Sequence, residues 1–109
     1  MEHTRDGIMA QISIAFGQGT GAIRVSQAAA LELRRWYWDA ITEEIIGTQW
    51  ELWSLQVLDR IRAIGRLAAL MATEEGSVRI SADQVYEAAV KVQIESDTSL
   101  CPPIPPKPL

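Results

Sequence analysis

The sequence predicts an all-α protein, a small bundle of three principal helices at about 27–46, 49–72 and 82–95. Three observations carry that prediction. Apolar residues recur every three or four positions over most of the stretch from Ser26 to Glu95, the spacing of one helix face. Two capping signals, Thr48 with Glu51 and Ser81 with Gln84, each pair a hydroxyl with an acid or amide three residues on, as helix starts do. Extended character is confined to two short triplets, "IRV" and "VRI", placed just before Ser26 and Ser81.

The first principal helix starts at Ser26, a favoured N-cap. Glu32, Arg35, Asp39 and Glu43 mark one solvated face, while Leu31, Leu33, Trp36, Trp38, Ile41 and Ile45 occupy the rest. Gly47 then suits the position just past a helix end, and the Thr48–Glu51 box opens the second helix. The alternative is one helix running through Gly47 at a cost of about 1 kcal/mol. In the second helix Val57, Ile61, Ile64, Ala68 and Met71 step by four, three, four and three, a heptad-like seam. Leu55, Leu58, Leu67 and Leu70 widen it, and the helix spans roughly 36 Å. The third helix, after the Ser81–Gln84 box, turns Val85, Ala89 and Val92 inward. It sets Glu87 and Lys91 outward in the favourable order.

Residues 1–25 are less defined. Ile12, Ile14 and Phe16 alternate with Ser13 and Ala15, which allows a short strand, and a helical turn or two fits so short a run almost as well. The domain is read as 1–96. The remaining 97–109, ending "CPPIPPKPL", reads as an extended polyproline tail whose P-x-x-P-x-K pattern is a weak match to ligands of aromatic grooves.

One hexapeptide is nearly spelled twice, "GAIRVS" at 21–26 and "GSVRIS" at 76–81. The favoured reading is two similar helix starts, each a β-branched, Arg, β-branched triplet leading into a Ser cap. The sharper reading pairs the two extended segments, within one chain or across a dimer.

The segment "LDRIRAIGRLAALMATEEGSVRISADQVYEAAVKV", Leu58 to Val92, resembles the end of a histone-fold domain, where a long helix with spaced alanines leads through a short extended loop into a helix beginning Ser/Thr-x-x-Asp-Val-x-x-Ala. The resemblance covers about a third of the chain. It implies that "IRVS" and "VRIS" are the loops that lie side by side in a head-to-tail dimer. Some 55 residues separate the two loops and Gly47 interrupts them, so a single central helix of ordinary histone length does not fit. The same segment is similar to the helical lid of AAA+ ATPases. No Walker motif accompanies it, so ATPase activity does not carry over.

The chemistry-bearing residues are few. The net charge of −4 argues against a general nucleic-acid binder, which works by neutralising phosphates. One cysteine, Cys101, and one histidine, His3, leave no disulfide and no zinc-type ligand set. Glu43, Glu44 and Glu51 lack the histidine of a di-iron arrangement and read as solvated. Gly17, Gly19 and Gly21 form G-x-G-x-G before a helix, but without the third spacing of a dinucleotide fingerprint or the lysine of a P-loop. They read as a connector, with an anion loop as the competing reading. Arg60, Arg62 and Arg66 make a basic patch.

Trp36, Tyr37, Trp38, Trp50 and Trp53 crowd into 18 residues. Helical neighbours stand about 100° apart, so the three adjacent aromatics cannot share one core. With the heptad seam, this makes Trp38, Trp50, Trp53, Ile61, Ile64 and Ala68 the candidate interface residues. The expectation is a non-enzymatic interaction or scaffold protein that works as a homodimer or in a larger assembly, without cofactor, metal or membrane span. No apolar stretch long enough for a membrane span and no signal-peptide pattern stand in the sequence, which reads as cytoplasmic. The competing expectations are a nucleic-acid-associated regulator with a histone-like dimer and a small anion- or nucleotide-binding domain using Gly17–Gly21.

Overall fold

The computed structural model describes residues 4–38, 40–43, 46–47 and 50–95, with side chains at all of these but 52, 53 and 93–95. The order is α1 (Arg5–Thr20), β1 (Arg24–Val25), α2 (Gln27–Trp38), α3 (Trp50–Glu74), β2 (Arg79–Ile80) and α4 (Ala82–Glu95). The all-α class holds, with four helices among the described residues in place of three.

The additional helix is α1. Thr4 has extended backbone and its hydroxyl accepts the Gly7 N–H at 3.0 Å, a regular N-cap. Ile8, Ile12, Ala15 and Phe16 then fall on one buried face while Ile14 points to solvent. The apparent alternation at 12–16 is therefore a helical stripe seen over too short a window, with Ile8 supplying its missing first turn.

Each half of the chain is a helix, a glycine, a two-residue strand, a serine and a helix. Gly21 and Gly76 have φ of 67° and 72°, values that a side chain would strain. Gly76 closes α3 in a Schellman turn: the Ser77 N–H reaches the Ala72 carbonyl at 2.8 Å and the Gly76 N–H reaches that of Thr73 at 3.1 Å. The strands then pair in parallel, Arg24 beside Arg79 and Val25 beside Ile80. The hexapeptides do pair with each other, and they do so inside one chain.

The halves are held face to face. Elements pack on their counterparts, α1 on α3 and α2 on α4, with the ribbon between. Gly19 lies against the backbone of Arg62 and Arg66, and Gly65 against that of Phe16 and Thr20. The two helices cross at these glycines. A β-carbon on Gly65 would stand 2.6 Å from the Phe16 carbonyl oxygen, so the glycines set the closeness of this crossing.

The first predicted principal helix is shorter than expected, ending at Trp38 and not at 46. The cause comes from α1. Arg5 Nε donates to the Ile41 carbonyl at 3.1 Å, and the Arg5 and Arg34 guanidinium groups lie 5.3 and 4.5 Å from the Trp38 ring centre. The chain turns there and buries Ile41 completely. Gly47 is exposed, and Thr48 of the expected capping box lies outside the described residues.

The second and third predicted helices match α3 and α4 within two residues. Val57, Ile61, Ile64, Ala68 and Met71 are all buried, together with Ala72. Ser81 Oγ accepts the Gln84 N–H at 3.2 Å while Gln84 Oε1 accepts that of Ser81 at 2.9 Å, the reciprocal box that the spacing predicts. The expected polyproline tail lies outside the described residues.

Candidate functional site

Two surface features stand out, and both arise from the ribbon and the helices that flank it. The first is a cleft between α1 and α2. It encloses about 140 Å³ and is lined by Ser13, Phe16 and Gly17 of α1, Val25 of β1, and Ala30 and Leu33 of α2. Gly17 helps to open it, since nothing stands within 4 Å of where its β-carbon would be. No ionisable side chain lines this cleft. Further along α2, Trp38 takes the Arg5 and Arg34 guanidinium groups on its ring, with Arg34 also 3.6 Å from Asp6.

The second feature is the arginine pair. Arg24 and Arg79 are direct neighbours on the two strands, both exposed, and among the described residues neither side chain is in an ion pair or hydrogen bond. Like charges set side by side in a sheet repel. The strands lead straight into the N-termini of α2 and α4, which add positive potential of their own. Val78, 84% exposed, stands beside the pair. The sequence signal was the repeated hexapeptide itself; what it withheld was the register that brings the two arginines together.

The interface candidates divide. Ile61, Ile64 and Ala68 have no exposure and Trp50 only 7%, because α1 and α4 of the same chain cover the seam. Trp38 is half-buried in its arginine stack, and the Trp53 side chain lies outside the described residues. Trp36 and Tyr37 are internal: the Trp36 ring meets Tyr86 edge-on at 6.2 Å, and its Nε1 donates to Glu32 at 3.1 Å.

The basic patch is also divided. Arg62 is engaged, donating to Gln18 Oε1 and to Asp59 Oδ1, both at 2.8 Å, whereas Arg60 and Arg66 make no ion pair among the described residues. The anion-loop reading of Gly17, Gly19 and Gly21 is corrected by α1. Gly17 and Gly19 are helical and Gly21 is the C-cap, so these glycines belong to the negative end of a helix dipole, which disfavours an anion.

Among the described residues, no three His, Cys, Asp or Glu side chains gather as a metal site, and no helix is long and apolar enough to cross a membrane. Glu43 and Glu51 are exposed; Glu44 lies outside the described residues. No family model, curated protein or solved structure matches the chain.

Proposed function

We propose that this protein is a non-enzymatic interaction module, acting as a homodimer or as a subunit of a larger assembly. Its α1–α2 cleft takes one apolar side chain of the partner. The cleft carries this reading: it is uncharged and built on helices. Its volume of about 140 Å³ is close to that of an engineered apolar cavity that accepts benzene. A lining of Phe16, Val25, Ala30 and Leu33 offers an aliphatic or aromatic group contact and burial, while Ser13, its one hydroxyl, has no acid or base beside it in the lining.

The test is to fill the cleft. Gly17→Leu places a side chain where nothing now stands within 4 Å, so the helical fold is expected to persist by circular dichroism. Light scattering on a sizing column is expected to give a dimeric or larger mass for the wild type and a reduced mass for the variant. An assembly of unchanged mass in a well-folded Gly17→Leu protein overturns the assignment of the cleft.

The arginine pair favours a second reading, a nucleic-acid-associated regulator. The histone-fold resemblance of residues 58–92 points the same way, because the paired extended loops are its shared feature. That reading expects a salt-sensitive anisotropy change with labelled duplex DNA or RNA, lost in Arg24→Ala/Arg79→Ala and weakened in Arg60→Ala/Arg66→Ala. No change at low salt dismisses it.

A further inference from the structure

The solvent side of α1 is unlike that of the later helices. From Gly7 to Ile23 the chain carries no ionisable side chain, and the exposed positions of α1 over that run are filled by Ala10, Gln11, Ser13, Ile14, Gly17 and Gln18. The exposed faces of α3 and α4, by contrast, carry Asp59, Arg66, Glu87 and Lys91. A helix that is apolar or uncharged all round is ordinarily covered on every side, and in the single chain α1 is covered on one.

What fits that open side is written on the side itself. Ser13 and Gly17 line the α1–α2 cleft. Ile14 follows Ser13 and stands three residues before Gly17, so it is Gly17's neighbour on the helix surface. Its side chain is 61% exposed, an aliphatic projection at the rim of an apolar recess of about 140 Å³. A twofold contact requires such a face, since each group meets in the other copy what its counterpart meets in the first. It also requires a face without net charge, because identical charged faces repel, whereas a face shaped for a different protein is free to use opposite charges for steering. We propose that two copies of this chain dock through this flank about a twofold axis, Ile14 of each entering the α1–α2 cleft of the other. This rests on the homodimer reading above and names the side chain that fills the cleft.

Two measurements test it. The first is the mass in solution over a range of concentrations, with circular dichroism to show that each protein is folded. Wild type is expected to be dimeric and Ile14→Ser monomeric, with the helical signal kept because Ile14 is exposed in the single chain. The second is a cross-link between copies. Ile14→Cys and Ala30→Cys, the latter in the cleft lining, are made in separate full-length chains carrying Cys101→Ser, mixed, and treated with a short thiol cross-linker. A covalent heterodimer is expected. It is expected to be lost when the Ala30→Cys chain also carries Gly17→Leu, and when Glu87→Cys on α4 replaces Ala30→Cys.

A dimeric mass that Ile14→Ser leaves unchanged overturns the proposal and leaves the homodimer reading standing. So does a heterodimer yield from Ala30→Cys no greater than that from Glu87→Cys. If Gly17→Leu lowers the mass and Ile14→Ser does not, a different side chain fills the cleft and Ile14 is dismissed. A monomeric mass at every concentration overturns this proposal and the homodimer reading together.

Discussion

Gly65 sits on Gly19 so closely that a β-carbon on Gly65 would stand 3.2 Å from the Gly19 α-carbon. It would also be 2.6 Å from the Phe16 carbonyl oxygen, which is backbone and gives way only if α1 moves. Gly65→Ala is therefore expected to lose about 2 kcal/mol to overpacking, although alanine is the better helix former. Urea melts compare it with Gly47→Ala, whose added carbon meets nothing and whose midpoint is expected to hold or rise. Equal midpoints for the two variants refute the close crossing.

Ser81 and Gln84 cap α4 reciprocally, so their contributions are coupled. Each single change, Ser81→Ala or Gln84→Ala, is expected to cost about 1 kcal/mol. The double variant is expected to cost less than the sum, because either change alone already breaks the box. Gln84 also donates to Glu75 Oε2 at 2.6 Å, linking the start of α4 to the residue just past α3. A double-mutant cycle by chemical denaturation measures the coupling.

The arginine pair predicts a surface position where a charge reversal stabilises. Arg79→Glu converts the repulsion with Arg24 into an opposite-charge pair and adds a negative charge near the N-terminus of α4. A gain of about 0.5 kcal/mol is expected, read as a raised thermal midpoint that shrinks in high salt. A lowered midpoint at low salt contradicts the register.

Acid sensitivity should concentrate at Glu32. Its carboxylate accepts from Arg35 Nη2 at 2.8 Å and from Trp36 Nε1 at 3.1 Å. The Arg35 hydrogen bond above all, then the Arg35 charge and the Trp36 bond, hold it below the ordinary value of 4.5 against the opposing effect of partial burial. The folded form thus binds its proton less readily than the unfolded form. The resulting stability is fully present above the ordinary range and fades as pH falls through the lowered value. Glu32→Gln is expected to flatten the fall in midpoint as pH drops below the ordinary value of 4.5; an unchanged slope assigns the acid loss to other carboxylates.

Legibility in the sequence followed the range of the interactions. The α4 start was readable because its cap spans four adjacent residues, and the α3 seam because its spacing is written on one helix. The end of α2 was not, since Arg5 turns the chain from 36 positions away. Nor was α1, whose glycines look like loop residues until Gly19 is seen against the backbone of α3. The candidate surface was half legible: the repeated hexapeptide was in view, but its pairing register, and the cleft that only α1 completes, exist in three dimensions alone.

The two halves meet the same requirement at different distances. Ser26 receives the Ala29 N–H on its hydroxyl at 3.1 Å, but its own N–H goes to the Ile80 carbonyl of the other half at 3.0 Å. The N–H of Ser81 is satisfied by Gln84 within its own turn. Order of assembly follows from that difference: α4 can nucleate from neighbouring residues, whereas α2 gains its last start-site bond only after a loop of more than fifty residues has closed, the slower event. In pulse-labelled hydrogen exchange during refolding, the amide of Ser81 should therefore gain protection before that of Ser26.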